Sequence, residues 1–276
     1  MKKTGKRVIP GFGLSMGITL TILSIIVIIP LISLVVYTCK LSPEDIIATI
    51  TNARVLASFK VSFLTAFVAS LINGVMGVIL AWVLVRYEFP LKALINGMIE
   101  LPFALPTAVA GIALTSLTTD NGLIGKYFAK LGIHIAYSKT GITVALVFVG
   151  IPFVVRAVQP VLEKLDSSYE EAAEVMGASR ATAFRRIILP EIIPAAATGF
   201  GLAFGRCIGE YGSVVFIAGN MPYKTEITPL IIMSKLQEYN YPEATAVALV
   251  MLIFALLILL VMSLVQHRNA KILNGG

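Results

Sequence analysis

Ala244–Val265 reads ATAVALVMLIFALLILLVMSLV, a run without a charge, a proline or a glycine. A helix needs about 20 mostly apolar residues to cross the ~30 Å hydrocarbon core of a bilayer, so this stretch alone predicts a membrane span. The rest of the chain has the same character. Its 276 residues are 57% hydrophobic and only 13% charged, whereas soluble domains carry about 25% charged residues. So few polar side chains cannot cover a soluble domain of this size, which excludes soluble enzymes, nucleic-acid binders and disordered chains. The net charge of +7 comes from residues lying between long apolar runs, where they act as orientation signals rather than as a nucleic-acid surface.

Outward from that run, five further stretches qualify as spans or nearly do. They are Leu14–Thr38, Val61–Val85 between Lys60 and Arg86, and Ile95–Thr118 with Pro102 and Pro106 inside it. Thr140–Val155 is short and is expected to borrow length from the snorkelling stems of Lys139 and Arg156. The fifth begins near Ile192, passes Arg206 and Glu210, and ends around Ala218. The predicted fold is an all-α polytopic transmembrane bundle of six spans. Residues 1–60 hold the N-terminal tail, the first span and an outer loop; 61–265 form the main transmembrane domain; 266–276 are a cytoplasmic tail.

Lys2, Lys3, Lys6 and Arg7 flank the N-terminal run as they would a secretory signal. The charge-free stretch Val8–Cys39 is too long for the ~7–15-residue core of a cleaved signal, so it is read as a span. An even number of spans puts both termini on one side. With that side cytoplasmic, 13 Lys and Arg residues lie inside and 8 outside, with Arg206 within a span, so both termini are placed in the cytoplasm. Cys39, Cys207, His134 and His267 are too few and too scattered for a zinc site, a disulfide framework or a Cys/His catalytic pair. Neither catalysis nor a cofactor is expected.

Between the fourth and fifth spans lie residues that are neither span nor linker. Ser167 and Ser168 each have a glutamate three residues on, Glu170 and Glu171, so either could close a capping box. Tyr169, Ala172, Ala173 and Met176 then fall on one helical face, and Gly177 stands where a C-terminal cap wants φ > 0. Ser179 can start a second helix with Ala181, Phe184, Ile187 and Ile188 on one side and Arg180, Arg185 and Arg186 on the other, stopped by Pro190. A two-turn helix is unstable alone in water, so something must hold it. Packing on its own bundle would serve; so would docking to a second protein, which the low surface at Ala172, Ala173 and Gly177 favours.

The run Glu171-Ala172-Ala173, three residues, Gly177, nine residues, Ile187-x-Leu189-Pro190 resembles the cytoplasmic signature of permease subunits of bacterial ABC importers. Leu101–Gly111 (LPFALPTAVAG), Ile151–Arg156 (IPFVVR), Gly209–Gly212 (GEYG) and Phe216–Asn220 (FIAGN) resemble its sulfate/thiosulfate permeases. The likeness runs from about Arg7 to Val265. It implies a permease in the bacterial inner membrane that works with cytoplasmic ATPase subunits, a second homologous permease subunit and an external sulfate/thiosulfate-binding protein. It also implies that Glu171, Ala172, Ala173, Met176, Gly177 and Arg180 form a coupling helix seated on the ATPase. The chain has no Gly-x-x-x-x-Gly-Lys-[Ser/Thr] phosphate loop, Gly122-Leu-Ile-Gly125-Lys126 being the nearest approach, so another polypeptide must hydrolyse ATP.

Arg206 and Glu210 lie four apart, on one helical face inside a span, where ionisable groups are costly. They either satisfy each other and fix how the fifth helix packs, or line a path for a dianion. Glu100, Pro102, Pro106 and Thr107 offer a kinked structural helix or a gate. Two competing readings remain open: a molybdate or tungstate permease of the same mechanism, and an ion-coupled secondary transporter. The second needs a chain of intramembrane acids, and only Glu210 and Glu100 are candidates.

Overall fold

The computed structural model describes residues 12–166 and 168–274, with side chains described as far as residue 264. The basic tail residues Lys2, Lys3, Lys6 and Arg7 and the capping role of Ser167 lie outside them. The described residues are helical, without a strand. In order they are α1 (Phe12–Thr38), α2 (Pro43–Thr51), α3 (Ala53–Arg86), α4 (Lys92–Ile99), α5 (Leu101–Ala104), α6 (Thr107–Thr118) and α7 (Gly125–Ala129). Then come α8 (Lys139–Lys164), α9 (Ser168–Val175), α10 (Arg180–Ala183), a π-helical turn (Phe184–Ile188), α11 (Leu189–Ile208), α12 (Val214–Ile217), α13 (Thr228–Gln237) and α14 (Tyr241–Asn274). Among the described residues, five segments are long and apolar enough to cross a membrane: α1, α3, α8, the continuous helix Arg180–Ile208, and α14 over Tyr241–Leu264.

The core is the triple contact of α3, α8 and α11. Lipid tails are as apolar as leucine, so helices in a bilayer associate through close packing, which small residues permit. Gly77 and Gly199 approach Val154 from two sides, so close that a Cβ would fall 2.7 Å from Val154 Cβ or 2.6 Å from Val154 Cα. By contrast α1 packs on α14 and exposes nearly all its side chains, as a helix bathed in lipid would.

Contacts at the helix ends fix the directions. Arg86, closing α3, donates to the Leu165 carbonyl just past α8 (3.0 Å), so α3 and α8 end together and run parallel. At the opposite end Arg54 donates to both carboxylate oxygens of Glu226 (2.7 and 2.6 Å), and the Tyr37 ring of α1 lies 6.1 Å from that of Tyr241 in α14.

Four features differ from their sequence reading. Ile95–Thr118 is three pieces rather than one kinked span: Leu105, ahead of Pro106, is forced extended (φ −88°, ψ 137°), and α6 restarts at Thr107. The fourth span is not short, since α8 runs on through Arg156 and Pro160 to Lys164. Pro190 does not stop its helix, because the π turn carries Arg180 on to Ile208 as one segment. A π turn widens the ring just where the proline would clash with the preceding carbonyl. That helix also ends at Ile208, short of Ala218.

Candidate functional site

Two places gather the residues singled out by sequence. The first is the α9–α10 segment. Its start is held by Asp166, whose Oδ1 accepts from the Ser168 backbone N–H (2.9 Å), so an aspartate two residues upstream replaces Ser168 as the cap. That bond, helped by the Ser168 hydroxyl and by the charge of Arg86, holds the Asp166 carboxyl below its ordinary range. Its end is a Schellman closure. Gly177 adopts φ +83°, its N–H reaches the Glu174 carbonyl (2.9 Å), and the Ala178 N–H reaches that of Ala173 (2.9 Å).

The expected apolar stripe divides. Ala173 is buried (4%), while Tyr169 (59%), Val175 (89%) and Met176 (80%) stand in the open, with Ala172 exposed among them. Arg180 pairs with Glu174 (3.0 Å) and is otherwise exposed. Arg86 at the end of α3 pairs with Glu170 (2.8 Å) and lies over the Trp82 ring. A cavity of about 550 Å³ separates these elements, lined by Trp82, Arg86, Glu171, Glu174 and Arg180 among others. The segment is thus tethered at one edge and leaves its apolar tip uncovered by this chain.

The second place is where α6 meets the end of α11. Arg206 Nη1 lies 2.5 Å from Glu210 Oε2, with Glu210 2% exposed and the arginine side chain 38%. The pair does not sit on one helical face: Glu210 lies beyond Ile208, in the turn leading to α12. Its other oxygen accepts from the backbone N–H and the hydroxyl of Ser213, both at 2.9 Å. α6 presses on this turn so closely that a Cβ at Gly212 would collide with Thr107 Oγ1, and one at Gly111 would meet the Ser213 carbonyl oxygen at 2.5 Å. Thr107 therefore lies against the turn that holds Glu210, at Gly212, with Pro106 exposed beside it.

Glu100 is elsewhere. It pairs with Arg156 Nη2 of α8 at 2.6 Å. Sequence reasoning assigned Arg156 to a snorkelling span end and missed this partner. The spacing Arg156, Gln159, Glu163 at i, i+3, i+7, which continues the helix past Val155, was the available signal. The tethers of Arg86 to Glu170 and of Arg54 to Glu226 bridge residues far apart in sequence, and no local pattern announces them.

Residues 73–273 match the family model of the binding-protein-dependent transport system inner membrane component. The sulfate transport system permease protein CysT of Escherichia coli (strain K12) is 48% identical over 268 residues, 97% of each chain. That of Synechocystis sp. is 43% identical over 93% of this chain and 90% of its own. Among solved structures, the bacterial alginate ABC transporter in complex with its pentasaccharide-bound periplasmic protein superposes with TM-score 0.77 at 19% identity, over 95% of this chain and 96% of that one. The MetNI methionine ABC transporter in an inward-facing conformation gives 0.59 at 17%, over 83% and 99%. At such identities these two speak for the fold alone. On the strength of the matched model and the near full-length relatives, the chain belongs to the binding-protein-dependent transport inner membrane component family, in its branch of sulfate transport system permease proteins.

Proposed function

We propose that this chain is the membrane-spanning permease subunit of an ATP-driven importer of sulfate and thiosulfate. It lies in the bacterial cytoplasmic membrane with both termini inside. The observation that carries the mode of action is α9: a short, double-capped helix whose Val175, Met176 and Tyr169 are uncovered by its own bundle. Such a surface fits the cleft of a cytoplasmic ATPase, with Glu171, Ala172, Ala173, Met176, Gly177 and Arg180 making the coupling contact. The substrate follows from the relatives, whose resemblance covers nearly the whole length.

Six crossings are supported by the helix directions. Since α3 and α8 run parallel, the chain between Arg86 and Lys139 has to return across the membrane, and α4, α5 and α6 are the residues available for it. The broken backbone there is tolerable where protein or a water-filled cavity covers it. Pro106, Thr107, Arg206 and Glu210 then line or gate the path, with Glu100 nearer the cytoplasm. A second homologous permease completes the path, an external binding protein delivers substrate, and lipid surrounds α1. The ion-coupled alternative loses ground because Glu100 and Glu210 are both held by arginines rather than forming a relay.

Nucleotide moves such a permease between two states only through its difference in binding energy for them, about 5.5 kcal/mol for a change from 1:99 to 99:1. That energy enters through α9. Reconstitution in proteoliposomes with ATPase subunits, partner permease and sulfate-binding protein should give ATP-dependent uptake of labelled sulfate and thiosulfate. Uptake that follows an ion gradient and ignores ATP, or that prefers molybdate, would refute the reading.

A further inference from the structure

The mechanism above leaves a polar stripe on α8 without a task. Arg156, Gln159 and Glu163 follow one another at i, i+3 and i+7, while Val154, Val155, Val158 and Leu162 on the remaining face are wholly buried. Gln159 donates to Glu163 (3.0 Å) and accepts from Arg156 Nη1 (2.7 Å). Arg156 reaches across to the α4–α5 joint, bonding Asn96 Oδ1 (3.0 Å), the Asn96 carbonyl (3.3 Å) and Glu100 (2.6 Å). Its Nε–H is buried without an acceptor.

The depth of this cluster decides its meaning. Leu165, bonded to Arg86, marks the α9 end of the bundle. Arg156 lies nine residues before it, about 13 Å from that end at 1.5 Å per residue; α8 has 26 residues and is thus ~39 Å long, so a ~30 Å hydrocarbon layer centred on it reaches about 8 Å past Arg156. Glu163, one residue before the end of α8, lies just past the edge of a layer so centred. Charged and amide side chains at such depth do not face lipid; they face protein or a water-filled cavity. Yet Arg156 is 31% exposed and Glu100 56%. A half-exposed ion pair that deep, joined to the surface by an unbroken polar stripe, describes one wall of an aqueous vestibule opening at the α9 end.

Resting on the permease reading above, we propose that Asn96, Glu100, Arg156, Gln159 and Glu163 line the cytoplasmic half of the path, and that Arg156 is its cationic station for a tetrahedral dianion. Glu100 is the built-in counter-ion. It offsets the guanidinium when the path is empty and yields its place to an oxyanion, whose oxygens accept the same forked donors. Release then needs no extra group, because the carboxylate displaces the departing anion.

The test uses the assembled transporter in inside-out vesicles, in a background where the two cysteines, exposed Cys39 and buried Cys207, are replaced by serine. A Gln159→Cys thiol should react with a membrane-impermeant methanethiosulfonate at least tenfold faster than a Leu162→Cys thiol, and millimolar sulfate should slow it several-fold. Equal rates, or crosslinking of Gln159→Cys to the partner permease in place of labelling, would overturn the proposal. Arg156→Gln should lower sulfate uptake at least tenfold, with Arg156→Lys in between. If the pair is merely structural, the neutral double variant Arg156→Gln/Glu100→Gln should recover uptake; as a station it should not. Failure of the unsubstituted complex to take up sulfate would sink the permease reading itself, whereas normal uptake with an unreactive Gln159→Cys thiol sinks only the stripe.

Discussion

Glu210 carries more of the local structure than its distance from Arg206 suggests. One carboxylate oxygen meets the guanidinium and the other takes both donors of Ser213, all in a buried turn. Glu210→Ala leaves those donors unsatisfied at about 1–3 kcal/mol, so thermal unfolding of the purified complex should occur several degrees lower. Glu210→Gln keeps an acceptor for Ser213 and should cost less. Arg206→Ala should behave differently: being partly exposed it should spare the fold and ATPase association but impair uptake, and unchanged uptake would remove Arg206 from the path. Beside them, Gly111→Ala should cost about 1–3 kcal/mol by overpacking, since the obstacle is the Ser213 backbone rather than a side chain free to turn. Arg206 and Glu210 were legible in sequence because a charge within an apolar run is conspicuous. Arg156 was not, because it stands at the edge of such a run, where a boundary residue and an intramembrane one look the same.

The α9 helix shows what capping chemistry settles at the scale of an element. Its end was readable, since Gly177 sits where only a residue at ease with positive φ closes the turn. At its beginning Asp166 reaches the Ser168 N–H from outside the serine–glutamate pattern, while the capping role of Ser167 lies outside the described residues. A methyl group at Gly177 would meet nothing within 4 Å, so Gly177→Ala incurs only the backbone cost of about 1–2 kcal/mol. It should weaken co-purification with the ATPase, whereas Gly177→Asn should be milder. Asp166 has its proton affinity lowered, so its contribution is fully present above the ordinary carboxylate range and fades only as acid titrates the folded form. ATPase association should therefore stay flat from neutral pH down to the ordinary carboxylate range on this account. Asp166→Ala should weaken it throughout that range, while Asp166→Asn keeps the acceptor. The Arg86–Glu170 tether should be separable from docking: Arg86→Glu should uncouple ATP hydrolysis from uptake, and Arg86→Glu/Glu170→Arg should restore part of it. Pro190 was misjudged as a stop because sequence gives the clash but not the π turn that relieves it.

For the whole molecule, helix directions say more than hydropathy does. Helix length and apolarity pick out five segments among the described residues, while α4 to α6, read in sequence as one span, is in pieces each too short to span alone. The parallel course of α3 and α8 is a tertiary fact, carried by Arg86 on the Leu165 carbonyl, and it is this that calls for a return crossing. With that crossing, as proposed above, the spans number six and both termini lie at the α9 end; without it they number five and the termini part company. Tyr37 against Tyr241 puts the end of α1 beside the start of α14, which agrees with six. Alkaline phosphatase, active only outside the cytoplasm, should thus be silent when fused after Asn274 and active when inserted in the α6–α7 loop near Asn121. A fluorescent protein that folds only inside should give the reverse. The reversed pattern, phosphatase silent near Asn121 and active after Asn274, would mean that α4 to α6 dips into the bilayer and returns, and would take Thr107 and Pro106 off a transmembrane path.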